Sequence, residues 1–126
     1  MVKWVCYPSG DKPDMWNAWF CVQDGAVRGR HATAMRFLSA GHWGKPHFKR
    51  LKGKHLKGLS EIIVGSGVEW RLIGHWDSAA STFTLTMICN HKDRVYKPTD
   101  AFEVAMDRWK AMKNGLQGIT LDAHPS

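Results

Sequence analysis

The densest chemistry in the chain lies in "CNHKDRVYKP", residues 89 to 98, where His91, Lys92, Arg94 and Lys97 crowd between an apolar run and a proline. An imidazole titrates near neutrality, so it can give or take a proton. A guanidinium grips a phosphate through two parallel hydrogen bonds, and an ammonium holds it as a point charge. Arg71 in "VEWRLI" is a further clamp candidate, because it falls mid-way along an apolar segment. Its alternative role is that of a cross-strand partner for Glu69 or a threonine. His91 likewise has a structural alternative, since a lone turn histidine often only completes a hydrogen bond.

A second cationic feature is larger. Between Asp24 and Glu61 there is no acidic residue, while nine arginines and lysines and four histidines fall there. The loop "HWGKPHFKRLKGKHLKGL" supplies Lys52, Lys54 and Lys57, with His55 as a weaker proton carrier. With a net charge of +7, such an interval suits a polyanion, because a surface of one sign attracts phosphates and speeds their encounter. A solvated basic face or a site for an acidic protein partner would satisfy the same charges. The scattered histidines and three cysteines show neither zinc spacing nor a C-x-x-C pair, so no metal and no cofactor is expected. An odd cysteine count fits a reduced, cytoplasmic protein. No apolar run has the length of a signal peptide or a membrane span.

These groups need elements to position them. The 126 residues predict one domain, with the tail after about residue 114 loose. "VKWVCY" reads as a strand. Asp14 then caps a short helix with Trp16, Trp19 and Phe20 on one face. "AVRGRHATAMRFLSAG" predicts a second helix with Val27, Ala34, Phe37 and Leu38 inward. After the lysine-rich loop, "SEIIVG", "VEWRLIGHW" and "TFTLTMIC" predict an antiparallel meander joined by "SG" and "DSAAS". Thr99 or Asp100 then caps a helix with Phe102, Ala105, Met106, Trp109 and Met112 as its apolar stripe. Strict alternation turns Trp70, Leu72 and Trp76 inward with Phe83, Leu85, Met87 and Cys89, and leaves Arg71 on an open polar face. The expected class is α+β, an antiparallel sheet of about four strands with two N-terminal helices and one C-terminal helix packed on one side.

The order of these elements, with "LKGLSEIIV", "VEWRLI" and "TLTMICNHKDRVYKPTDAFEVAMDR", resembles the RelE/ParE superfamily of toxin–antitoxin toxins, nearest its HigB-like, phage-associated branch. Gly58, Leu59 and Glu61 match its Gly-Leu-x-Glu motif, and Trp70, Arg71 and Leu72 its aromatic-Arg segment. Arg94, Lys97 and Pro98, with Ala105 and Arg108, match its closing signature. Ile63 stands where that family carries an arginine, and Asp93 where it carries a lysine.

The resemblance implies a RelE-like fold and a ribosome-dependent mRNA endonuclease that cleaves without metal, by attack of the 2′-hydroxyl on its own phosphorus. On this reading Arg71, His91, Arg94 and Lys97 are catalytic, and Lys52, Lys54, Lys57 and Lys92 bind RNA. The implied partners are a helix-turn-helix antitoxin, the ribosome and mRNA, with no membrane. A ParE-like toxin of DNA gyrase and a non-catalytic adaptor of the same fold are the alternatives.

Overall fold

The computed structural model describes residues 1–10, 12–65 and 69–125. The first strand, β1 (Lys3–Cys6), leads into α1 (Met15–Cys21) and α2 (Gly25–Ser39). Both helices start as the local sequence dictates. Asp14 accepts from the Asn17 amide at 3.0 Å, and Asp24 from the Val27 amide at 2.9 Å. The buried stripe of α1 is Trp16, Trp19 and Phe20, as expected. In α2 the buried side chains are His31, Ala34, Met35 and Leu38. Phe37 is not among them. It is 46 % exposed and stacks on His47 at 4.9 Å, because the stripe through 31, 34, 35 and 38 turns position 37 outward.

The chain continues through β2 (Phe48–Arg50), a 3-10 turn (Lys54–Leu56), β3 (Ser60–Val64), β4 (Glu69–Asp77), β5 (Thr82–Lys92), β6 (Val95–Lys97), α3 (Ala101–Lys113) and β7 (Ile119–Leu121). The sheet is mixed and seven-stranded, in the order β2-β3-β4-β5-β1-β7, with β6 folded back on β5. The meander β3-β4-β5 is antiparallel, as expected, and the Ser66–Gly67 turn between its first two strands lies outside the described residues. Two expectations need correction. The sheet exceeds four strands, and it is not purely antiparallel, since β1 runs parallel to β5. The tail is not loose either. β7 pairs with β1 through Cys6↔Ile119, Val5↔Thr120 and Trp4↔Leu121. Gly118 makes this approach possible, because a Cβ there would come within 2.6 Å of Val5 Cγ1.

The expected open face is also absent. α1 and α2 cover one side of the sheet, over Trp4, Ile62, Val64, Leu72, Phe83 and Leu85. α3 covers the other, over Ile73, Cys89 and Met87. The alternation along β5 breaks at Thr86, which has no partner in β4: Ile73 faces Met87, and Gly74 faces Leu85. This β-bulge sends Phe83 and Leu85 to one layer and Met87 and Cys89 to the other. Thr86 is fully buried; its hydroxyl donates to the Ile73 carbonyl at 3.1 Å. Its own carbonyl accepts from Arg108 of α3 at 2.8 Å. A charged donor thus satisfies backbone that the ladder leaves unpaired. Among the described residues no helix is long and apolar enough to cross a membrane.

Candidate active site

Beneath the start of α3, five polar side chains from four strands meet: Glu61 of β3, Glu69 and Arg71 of β4, His91 of β5 and Tyr96 of β6. Arg71 is the hub. Its Nη1 donates to Glu61 Oε1, and its Nη2 donates to Glu69 Oε1 and lies 3.2 Å from His91 Nδ1. Because a guanidinium only donates, the resting His91 accepts at Nδ1 and carries its proton at Nε2. His91 Nδ1 is also 3.7 Å from Glu69 Oε1. Tyr96 donates its hydroxyl to Glu61 Oε2 at 3.1 Å, and its ring lies tilted against His91 at 4.4 Å and against Phe102 of α3 at 4.5 Å.

Burial grades the cluster. Glu61 is fully buried and Arg71 is 7 % exposed, whereas the side chains of Glu69 and His91 keep 22 % and 20 %. A buried carboxylate needs paired charge and hydrogen bonds. Glu61 receives both from Arg71 and Tyr96, with Lys49 Nζ at 3.9 Å on the exposed edge strand. Burial alone would lower the Arg71 pKa, but the hydrogen bond to Glu69 and the charges of Glu61 and Glu69 raise it above the ordinary guanidinium value. Burial, then the Glu61 charge, pushes the Tyr96 phenol well above its usual range. Burial also pushes the neighbouring Cys89 thiol up to about 12, so it stays protonated and inert.

Of the residues expected to be catalytic, Arg71 and His91 come together and the other two stand apart. Arg71 is no free phosphate clamp, because two carboxylates already hold its guanidinium. Arg94 sits exposed at the tip of the β5–β6 hairpin, where it and Asp93 have φ of 65° and 52°. These left-handed values build a two-residue turn. Lys97 pairs with Asn90, and His91 with Tyr96, so Lys97 falls on the opposite face of the hairpin from the cluster. It lines a hollow there with Lys92 and Val95. Lys52 lies at the β2 edge beside Trp43, Lys49 and Arg50. Lys54 and Lys57 face the far end of α3.

Glu61, Glu69 and Tyr96 were not among the residues expected at the site. A signal existed for Glu61, since a lone carboxylate inside "SEIIVG" must find a cation. Among the described residues no three His, Cys, Asp or Glu side chains are grouped as metal ligands. No protein-family model, curated protein or solved structure matches the chain.

A carboxylate and an imidazole in contact with a guanidinium can exchange protons beside a fixed positive charge. Oε1 of Glu69 is held by Arg71, while Oε2 makes no hydrogen bond among the described residues. That oxygen is therefore available as a base. Protonated His91 would carry a proton at each ring nitrogen, with Nδ1 directed to Glu69 and Nε2 available to a leaving group.

Proposed function

We propose that the protein is a metal-independent endoribonuclease in which Glu69 is the general base, His91 the general acid and Arg71 the phosphate stabiliser. The observation that carries this reading is the contact of the Arg71 guanidinium with Glu61, Glu69 and His91 in one partly exposed cluster. With His91 first protonated from solvent, Glu69 removes the 2′-hydroxyl proton, the 2′-oxygen bonds to phosphorus, and the bond to the 5′-oxygen breaks as the imidazolium protonates it from Nε2 and returns to the neutral form. The products are a 2′,3′-cyclic phosphate and a 5′-hydroxyl end. The proton taken up by Glu69 neutralises one of the two charges opposing Arg71. The guanidinium is thereby released toward the phosphorane as its negative charge develops, which concentrates stabilisation in the transition state.

The resemblance to RelE/ParE toxins supplies the biological setting: a toxin with a RelE-like fold, cleaving mRNA on the ribosome of the cytoplasm and neutralised by an antitoxin. The charge balance of the cluster favours a second reading, a binding toxin or an adaptor. Two carboxylates beside Arg71 would repel phosphate in a protein that never cleaves it.

The test is cleavage of a reporter mRNA in a translating extract, with the new ends mapped chemically. Wild type is expected to yield 5′-hydroxyl ends. Glu69→Gln and His91→Ala should each reduce the rate by about 10²–10⁴-fold, the usual loss for a general acid or base. Both positions are partly exposed, so the fold should survive. Absence of cleavage by folded wild type, or full activity in both variants, would leave the binding-only reading.

A further inference from the structure

At the other end of α3 from the cluster lies a groove of about 590 Å³ between the 3-10 turn and the last turns of the helix. Lys54 and Lys57 form one wall and Lys110 and Lys113 the other. No acidic side chain lines it among the described residues. The helix dipole accounts for cations at the C-terminal end of α3. It does not account for the second pair across the groove, where like charges repel one another until an anion enters.

The floor is built rather than incidental. His75 stacks on Trp109 at 4.1 Å with 17° between the rings, and its Nδ1 lies 2.6 Å from the Gly58 carbonyl. A carbonyl only accepts, so Nδ1–H is the donor and Nε2 is the ring nitrogen left for a ligand. Gly58 has φ of +92°, which places its carbonyl there, and a Cβ would sit 3.5 Å from the Trp109 nitrogen.

We infer that this groove is a second RNA contact, binding the phosphodiester backbone away from the cleavage cluster. Four lysines on opposed walls suit a chain with one charge per residue, and a flat ring pair offers a surface for bases. An acidic peptide fits less well, because among the described residues the groove's aliphatic lining is Met106 alone, and peptide grooves need apolar pockets. From Phe102 beside the cluster to Lys110 the helix rises about 12 Å, so one strand could lie on both sites. The inference takes its ligand class from the RNA reading above but does not depend on cleavage.

The experiment measures binding of a fluorescent, uncleavable 2′-O-methyl RNA by anisotropy across a salt series. Combined alanine substitution of Lys54, Lys57, Lys110 and Lys113 should weaken binding at least tenfold and reduce the log–log salt slope by about 2–3, given ~0.7 per neutralised phosphate. A control variant carrying Lys3→Glu and Lys12→Glu, two exposed positions outside the basic interval, has the same net charge and should bind as wild type. Equal binding by the groove variant and wild type, or equal loss in the control, would overturn the inference. So would a poly-glutamate peptide of matched charge that competes as well as RNA. Weakened binding in the groove variant, alongside wild type that cleaves nothing, would refute the chemistry and leave the groove standing.

Discussion

Arg71 is a buried guanidinium held by two carboxylates, and not the expected clamp on an open face. Its position beside Glu69 along β4 was readable, and so was its chemistry. Its burial was not, because burial depends on α3 crossing the face above it and on Glu61 approaching from the next strand. The consequence for mutagenesis is direct. Arg71→Ala would leave Glu61 as a buried charge without its main partner, which typically costs about 3–5 kcal/mol. The variant is therefore expected to lose stability as well as activity, with a lower urea midpoint and an unchanged m-value. Wild-type stability in Arg71→Ala would mean that Glu61 is solvated or protonated in the native state.

At the scale of elements, long periodic segments were legible and short ones were not. β1, α1, α2, β3, β4 and α3 lie where apolar spacing and the Asp14 cap place them, while β5 runs on to Lys92, past the expected end at Cys89, so His91 lies in a strand and not in a turn. β2, β6 and β7 have three residues each, too few to show a period, and they form because a neighbouring strand offers unpaired backbone. β7 has the clearest structural role. It covers the outer edge of β1, whose other edge is bonded to β5. Removing residues 115–126 should expose that edge and loosen the packing of Gly118 against Val5. We expect a melting temperature lower by several degrees, at about 4–8 °C per kcal/mol for a domain near this size, and increased aggregation. An unchanged melt would show that the β1–β7 pairing contributes nothing to the fold.

Across the whole molecule, the two layers divide labour. The α3 layer holds the polar cluster and the lysine groove. The α1–α2 layer is an aromatic core, with Trp4 and Trp16 edge to face at 5.6 Å and Trp43 stacked on Trp76 at 3.5 Å. His31 is buried in that core and accepts a hydrogen bond from the Trp16 indole at 3.0 Å. Burial, with a smaller push from His124, lowers its pKa to about 4. The folded value lies below the unfolded one, so the neutral form is the native form. The stabilisation is complete above pH ~6.5 and is lost as pH falls toward 4, to a total on the order of 3 kcal/mol. Urea midpoints should therefore drop between pH 7 and pH 5, and His31→Gln should flatten that profile. A wild-type profile already flat over this interval would indicate that His31 is not held neutral.

The bulge at Thr86 makes the site a matter of parity. Counting from the far end of the β4–β5 pair, Thr84 lies opposite His75, and an uninterrupted ladder would bring even-numbered residues to the side that carries Arg71. One supernumerary residue changes the count, and His91, an odd position, arrives beside the guanidinium instead. A single-codon deletion between the bulge and His91 would bring Lys92 to where the imidazole belongs, whereas deletion of Thr86 itself would restore a regular ladder and keep His91 opposite Glu69. An insertion or deletion of two would keep the face but carry the imidazole two positions along it. The chemistry thus depends on whether a count is odd or even, a property that no single residue possesses.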